Sequence, residues 1–231
     1  MRYHNVFPAI FCSRPNRFIA VTMREGKEEV VHVKNTGRCR ELLMSGSKVY
    51  LTKSENPQRK TKFDLIAVEK KTKNGASILI NMDSQAPNDV IAEWIRAGNL
   101  FSPNAVVRRE TTFSRSRFDF YVEDGDERAY LEVKGVTLEE DGCALFPDAP
   151  TLRGVRHVEE LIRVVQQGMK AYLIFVIQMN QVSSFSPNDE THKAFGDALR
   201  RAKKAGVELF ALSCTVEPDA LFIDKKIPII L

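Results

Sequence analysis

The chain has 231 residues, 43% hydrophobic and 28% charged, which is the balance of a globular protein with a full core. The longest apolar run, residues 171–177, is too short to span a bilayer and no secretory signal is evident, so we expect a cytoplasmic protein without a membrane partner. The net charge of +4 combines +8 in residues 1–83 (16 Lys and Arg, 8 Asp and Glu) with −4 in residues 84–231 (18 and 22), which favours either a polyanion partner or simply a solvated basic surface for the first third.

Residues 1–83 predict a small β-barrel. Short runs rich in β-formers alternate there with polar turns such as REGKE, NTG and SENPQRK. Five strands in about 80 residues favour an OB-like barrel, with one short helix at 38–44 following the NTG turn. The predicted strands are 17–23, 29–34, 48–52, 63–70 and 77–81.

A domain boundary is predicted near the SQAPND segment, which divides the chain into domains 1–83 and 84–231. The second domain begins with an amphipathic helix that ends at Gly98 and has Val90, Ile91, Trp94 and Ile95 on its buried face. The order of elements predicts a mixed α/β sheet with helices on both sides, and the apolar run 171–177 suits a strand covered on both faces. The further strands are 105–111, 117–122, 129–137, 170–177 and 207–213, and the further helices 155–167 and 190–205.

The four cysteines are widely separated and form no C-x-x-C pair. This spacing argues against a zinc site and against a disulfide framework. We therefore expect buried or incidental thiols at Cys12, Cys39, Cys143 and Cys214.

The stretch RFDFYVEDGDERAYLEVK, residues 117–134, predicts a hairpin that carries two acids and a lysine. With Gly125 and Asp126 at the centre of the turn, Asp119 lies directly opposite Glu132; moving the turn back by one residue puts the two acids on a diagonal. Glu132 and Lys134 are two residues apart on one strand, so both should share the face of Asp119.

Two carboxylates on neighbouring strands offer hard oxygen ligands, which suit Mg²⁺ or Mn²⁺. Such a metal activates a water and neutralises charge on a phosphate, while a nearby lysine stabilises the developing anion. The pattern therefore predicts phosphodiester hydrolysis. The alternative is that the two acids only form ion pairs with the neighbouring Arg115, Arg117 and Arg128.

Asp119 followed by the E-V-K of residues 132–134 resembles the PD-(D/E)xK nucleases, and longer motifs make the resemblance more specific. SRFDF, LEVKGVTL, LFPDAPTLRGVRHVEEL, RPNRF and HVKNTGRCRELL together resemble the sugar fermentation stimulation protein A (SfsA) family over nearly the full length. The resemblance implies an OB-like domain joined to a nuclease-like domain, binding of DNA with little sequence preference, and a link to the regulation of maltose utilisation. It assigns Asp119, Glu132 and Lys134 as the metal and catalytic residues, and Gly135 stands where the family commonly has serine.

Several other residues are candidates for the same functions. Glu93 and Glu110 compete as an accessory acid, while Gln178 either contacts the site or caps a strand. Phe18 is either a stacking surface or, as we expect, a core residue. The candidate nucleic-acid contacts are Arg14, Arg17, Arg38, Arg153 and His157, although the first three could instead bind backbone carbonyls and His157 could be structural.

The sequence thus predicts a DNA-binding protein with a Mg²⁺- or Mn²⁺-dependent nuclease site. The alternative is a non-catalytic DNA-binding regulator on a nuclease-like scaffold. The strandedness of the DNA, binding of RNA instead, and the oligomeric state are left open.

Overall fold

The computed structural model describes residues 1–35, 37–72 and 75–231, so Thr36 of the predicted NTG turn lies outside the described residues. The N-terminal part forms a sheet of order β3-β2-β1-β4-β5-β6, and pairing of β3 with β5 closes the first five strands into a barrel. The predicted five-stranded barrel is confirmed. Its strands are β1 (Val6–Asn16), β2 (Ile19–Arg24), β3 (Lys27–Val33), β4 (Lys48–Lys53), β5 (Phe63–Lys71) and β6 (Ser77–Asn81).

Strand β1 is missing from the sequence prediction, and β6, which was counted among the five, extends the sheet beyond the closed barrel. β1 contains Pro8 and Pro15, and proline cannot donate a ladder hydrogen bond, so the segment lacks the usual sequence signal of a strand. The structure accommodates both prolines where β1 has a single neighbour: Pro8 pairs only with β4, and Pro15 lies in the irregular end that pairs only with β2.

The predicted helix at residues 38–44 is wrong, because the segment forms turns. Cys39 has a left-handed φ of 44°, which interrupts a helix at its start. The N–H groups of Leu42 and Leu43 both bond to the Cys39 carbonyl, and Cys39 and Leu42 are buried in the core. The apolar residues of this segment therefore belong to a turn that packs into the core.

The C-terminal part is a six-stranded mixed sheet of order β15-β14-β12-β9-β8-β7. β9, β12 and β14 are parallel, and the remaining pairs are antiparallel. A small sheet, β10-β11-β13, was not anticipated, nor was the edge strand β15. The elements are α1 (Ala86–Arg96), β7 (Val106–Phe113), β8 (Ser116–Asp124), β9 (Glu127–Val136), β10 (Leu138–Glu140), β11 (Cys143–Phe146), α2 (Leu152–Gln166), β12 (Lys170–Ile177), β13 (Ser184–Pro187), α3 (Asp189–Ala205), β14 (Glu208–Glu217) and β15 (Ala220–Lys226).

Helices cover both faces of this sheet, as predicted. On β12, Leu173 and Phe175 join a core with α2 and α3, whereas Ile174 and Val176 join a second core with α1. The first core is continuous with the interior of the barrel. The two parts of the chain are thus joined by buried apolar contacts on the α2 and α3 side.

Helix α2 starts at Leu152, three residues before the predicted start at 155, because the Thr151 hydroxyl accepts the Gly154 N–H at 3.0 Å and caps the helix there. The four cysteines are free thiols, two of them buried (Cys39 and Cys214) and two half-buried. Within the described ranges, every helix is too short or too polar to cross a bilayer.

Candidate active site

The hairpin of β8 and β9 has the first of the two predicted registers. Its ladder pairs Phe120 with Leu131 and Asp124 with Glu127, so Gly125 and Asp126 form the turn, and Gly125 has a φ of 60°. Continued by one pair, this register sets Asp119 opposite Glu132.

The two strands separate just at Asp119. The β8–β9 ladder ends at the Phe120–Leu131 pair, and beyond it the Val133 N–H donates to Asp119 Oδ2 at 2.8 Å instead of to a strand carbonyl. From there β9 continues alongside β12 as far as Val136, whereas the start of β8 stays with β7. The opening between the diverging strands is where the acidic residues meet.

The backbone of β8 also changes face at this point. Phe118 packs in the core with α2 and Phe120 packs in the core with α1, although residues two apart in a regular strand share a face. Across the β7–β8 ladder, Glu110 has a φ of 55°, so the irregularity is common to both strands.

Glu132 is nearly inaccessible, with 3% of its surface exposed. Its Oε1 accepts hydrogen bonds from the Lys134 ammonium and from His157 Nδ1, the latter at 2.5 Å. Burial works to raise the pKa of Glu132, but the His157 hydrogen bond and the Lys134 charge outweigh it and hold the pKa below its ordinary value. Glu132 is therefore a carboxylate that stays ionised although it is buried.

Asp119 is held from the other side of the sheet. Asn88, in the first turn of α1, donates to Asp119 Oδ1 at 2.9 Å. Burial and the charge of Glu132 raise the pKa of Asp119. Since α1 and α2 cover opposite faces, the two acids are supported from opposite sides and meet in the opening between the strands. That they share one face of the sheet stays a prediction.

The residues present fit a hard divalent cation. Glu132 Oε2 is buried and has no hydrogen-bond partner among the described residues, so a strong acceptor is left without a donor. The pKa of the second carboxylate, Asp119, is raised first by burial and then by the charge of Glu132, so the two acids lie close enough to repel each other. Oxygen atoms of this kind suit Mg²⁺ or Mn²⁺, although the described residues contain no cluster of three His, Cys, Asp or Glu side chains that would hold a metal by themselves.

The His157 side chain is too buried to contact a phosphate of a bound nucleic acid. It is 4% exposed and packs edge-on to Phe118. Its Nε2 accepts the Arg153 Nε–H at 3.4 Å, so Nδ1 carries the proton given to Glu132. The prediction of His157 as a nucleic-acid contact is therefore wrong, because the ring supports the Glu132 carboxylate from beneath, and Arg153, which is exposed, holds the ring.

Neither accessory acid joins the pair. Glu93 is exposed, and its Oε2 binds the amino group of Met1 at 2.7 Å. Glu110 is also exposed and lies 3.5 Å from Arg117. The polar residue that α1 does contribute is Asn88, whose position in the SQAPND segment had suggested only a helix start.

The predicted nucleic-acid arginines fall into two groups. The Arg14 guanidinium donates to the carbonyls of Arg38, Arg17 and Asn35 at 2.7–2.8 Å, so it fastens the turns of the barrel rather than facing a ligand. Arg17 and Arg38 are exposed, and in the described chain their side chains have no acidic partner. With Arg14 and Arg40 they line a cavity of about 450 Å³ that also touches Ala149 of the β11–α2 loop.

The structure also shows the environments of Phe18 and Gln178. Phe18 is 49% exposed, so its assignment to the core is wrong. Gln178 is buried and donates to Asn81 Oδ1 at 2.9 Å and to the Asp83 carbonyl at 3.0 Å, which ties the end of β12 to the barrel.

The match to known proteins follows the same division into barrel and sheet. Residues 12–80 match the family model described as the SfsA N-terminal OB domain, and residues 85–220 match the sugar fermentation stimulation protein RE domain. The chain belongs to the SfsA family. The suspected SfsA resemblance is thereby confirmed.

Relatives in the SfsA family align with the whole chain. The sugar fermentation stimulation protein homolog of Ruminiclostridium cellulolyticum is 52% identical, with 99% of each chain covered. The homolog of Clostridium beijerinckii is 50% identical over the full length of both. Among solved structures, Pyrococcus furiosus SfsA in complex with Ca²⁺ is 26% identical, with a TM-score of 0.88 over 100% of this chain and 98% of that one.

Proposed function

We propose that this SfsA-family protein binds nucleic acid and hydrolyses its phosphodiester bonds with Mg²⁺ or Mn²⁺ held by Asp119 and Glu132. The observation that carries the proposal is the buried, ionised Glu132, one of whose oxygens lacks a partner in the described chain. A buried acceptor without a donor costs about 1–3 kcal/mol, more when it is charged. A cation bound to Glu132 Oε2 would offset this free-energy cost.

A bound metal would supply a water of lowered pKa and positive charge beside the scissile phosphate. Calcium in the crystallised P. furiosus relative supports an oxygen-ligand cation in this fold, since Ca²⁺ also takes carboxylate oxygens. The metal ligands assigned here are the Asp119 carboxylate and Glu132 Oε2.

The other side chains orient the reacting groups. Lys134, bound to Glu132 Oε1, carries its ammonium beside both acids and can donate a hydrogen bond to an attacking water or a phosphoryl oxygen. His157 occupies Glu132 Oε1 and so leaves Oε2 free. Asn88 and the Val133 N–H fix the Asp119 carboxylate, which keeps the donor atoms in place before any ligand arrives.

The substrate class follows from the charge of the barrel. Residues 1–83 carry an excess of eight positive charges. The cavity lined by Arg17, Arg38 and Arg40 presents guanidinium groups without carboxylate partners in the described part of the chain. Polyanions with a phosphodiester backbone match both features, and DNA is the partner we propose.

The test is incubation of labelled DNA with Mg²⁺ or Mn²⁺ and three variants. We expect Asp119→Asn and Glu132→Gln to bind DNA and not cut it, and Glu93→Gln, an exposed acid outside the pair, to cut like the wild type. Cutting that survives in both acid variants would refute the assignment. If DNA is bound but never cut with either metal, the alternative function is favoured. In that alternative the protein is a non-catalytic DNA-binding regulator of sugar metabolism.

A further inference from the structure

A small cavity beside Phe18 has the features of a binding site for one flat ring. The exposed Phe18 side chain is mounted on a fixed backbone, because its N–H donates to Asn16 Oδ1 at 2.9 Å and its carbonyl accepts the Val33 N–H at 2.8 Å. The exposed ring therefore offers an apolar surface at a fixed place on the barrel. The cavity measures about 140 Å³ and is lined by Phe18, His32, Val33, Lys34, Ser84 and Gln85.

The remaining lining groups are polar. His32 Nδ1 lies 3.0 Å from Asp64 Oδ1, which leaves Nε2 as the ring nitrogen available to a ligand. Lys34 Nζ binds the buried Asp83 at 2.6 Å and has further protons to donate. In the described ranges, neither His32 Nε2 nor the Gln85 side-chain amide has a hydrogen-bond partner. The cavity thus combines one apolar face with donors and acceptors around it.

The volume of the cavity and its position beside the arginine cavity restrict the class of ligand that it can bind. Pockets for whole ligands measure roughly 300–1,000 Å³, so a cavity of about 140 Å³ holds a single ring and not a whole nucleotide. Unstacked bases are recognised by stacking on aromatic side chains and by hydrogen bonds at their edges. Arg17, the residue before Phe18, lines the neighbouring arginine cavity, so the phosphates of the same strand have cations beside the ring.

We propose that the Phe18 cavity takes one unpaired nucleobase, and that the protein engages single-stranded or locally opened nucleic acid. This rests on the proposed function and specifies its substrate class. Bases within a duplex are stacked inside the helix and must be extruded before a pocket can hold them. The barrel would then hold the strand by a base at Phe18 and by its phosphates at Arg17 and Arg38.

The experiment compares the full-length protein's binding to two oligothymidylates of about 12 nucleotides, one normal and one in which abasic sugars replace the nucleosides. EDTA is present so that neither strand is cut. The two strands have the same phosphates and differ only in their bases. Stacking contributes roughly 1–3 kcal/mol per base, so we expect the wild type to bind the normal strand about 5- to 150-fold more tightly.

Phe18→Ala should lower the affinity for the normal strand to that for the abasic strand and leave the latter unchanged. Phe18→Tyr should restore the difference, and Val30→Ala, at a 54% exposed position on β3 of the same barrel, should not alter it. Equal wild-type binding to both strands would overturn this inference alone. So would an equal loss for both strands in Phe18→Ala. A wild type that binds no DNA of either strandedness would overturn the proposed function with it.

Discussion

The two acids of the site should affect stability in opposite directions when each is replaced by its amide. Glu132 balances the charge of Lys134 and accepts the His157 hydrogen bond in a nearly inaccessible position. Removing one partner of a buried ion pair costs about 3–5 kcal/mol. For Glu132→Gln, which keeps one acceptor, we expect a loss of about 3 kcal/mol, or roughly 6–12 °C in Tm for a chain of this size.

Asp119→Asn removes a negative charge that repels the nearby Glu132 carboxylate. Opposed residues in a regular ladder lie about 5 Å apart, and two unit charges at that distance repel by about 3 kcal/mol at an effective dielectric constant of about 20. This is an upper bound, because the strands separate at Asp119. Lys134 offsets part of this repulsion. The new amide can still accept the Val133 N–H and can pair with a reoriented Asn88, so we expect a net gain of about 1 kcal/mol, roughly 2–4 °C in Tm.

The pH dependence follows from the direction of each pKa shift. Because the folded-state pKa of Asp119 is raised, its ionisation lowers stability as pH rises above the ordinary value of 3.8, so the advantage of Asp119→Asn should vanish below that pH. Because the folded-state pKa of Glu132 is lowered, its stabilisation is complete above the ordinary value of 4.5 and is lost as pH falls through the folded-state pKa.

The assay is thermal unfolding of the wild type and both variants in EDTA at pH 7.5 and at pH 3.5. Added Mn²⁺ at a hundredfold excess over its Kd should stabilise only the wild type, by about 2.7 kcal/mol. A destabilised Asp119→Asn or an unaffected Glu132→Gln in EDTA would refute the account of the two carboxylates.

Three further predictions concern residues around the site and the barrel. His157→Phe should weaken Mn²⁺ binding by about 10–100-fold in calorimetry, with DNA affinity in EDTA unchanged, since the ring acts on DNA only through the metal ligand. Gly135→Ala should destabilise the protein by about 1–3 kcal/mol in urea unfolding, because a Cβ there collides with Gln178, and an additional Gln178→Ala should recover part of the loss. Arg17→Ala should reduce the slope of log K for DNA binding against log[salt] by about 0.7–0.9. Arg14→Ala should instead lower Tm, because Arg14 binds three carbonyls. A larger change of slope in Arg14→Ala than in Arg17→Ala would contradict the assignment of Arg17 to DNA binding and Arg14 to structural support.

Local sequence determined the features that depend on neighbouring residues. The candidate turn residues narrowed the β8–β9 pairing to two registers, because a hairpin's pairing is set by its turn, and the structure has the one with Gly125 and Asp126 in the turn. The apolar run at 171–177 predicted a strand buried on both faces, and the predicted helix at 155–167 overlaps most of α2. The motifs spread along the chain were enough to indicate the family.

Tertiary structure decided which side chains meet. Asn88 and His157 lie 31 and 25 residues from the acids they support, on helices packed against opposite faces of the sheet, and nothing in their local sequence indicates these contacts. Phe18 is an aromatic residue that we expected in the core, yet in the β1–β2 turn its side chain is 49% exposed. Burial and side-chain direction depend on how whole elements pack, so the sequence could name the acids and the lysine, whereas only the fold could show the partnerless oxygen of Glu132 and the exposed ring of Phe18.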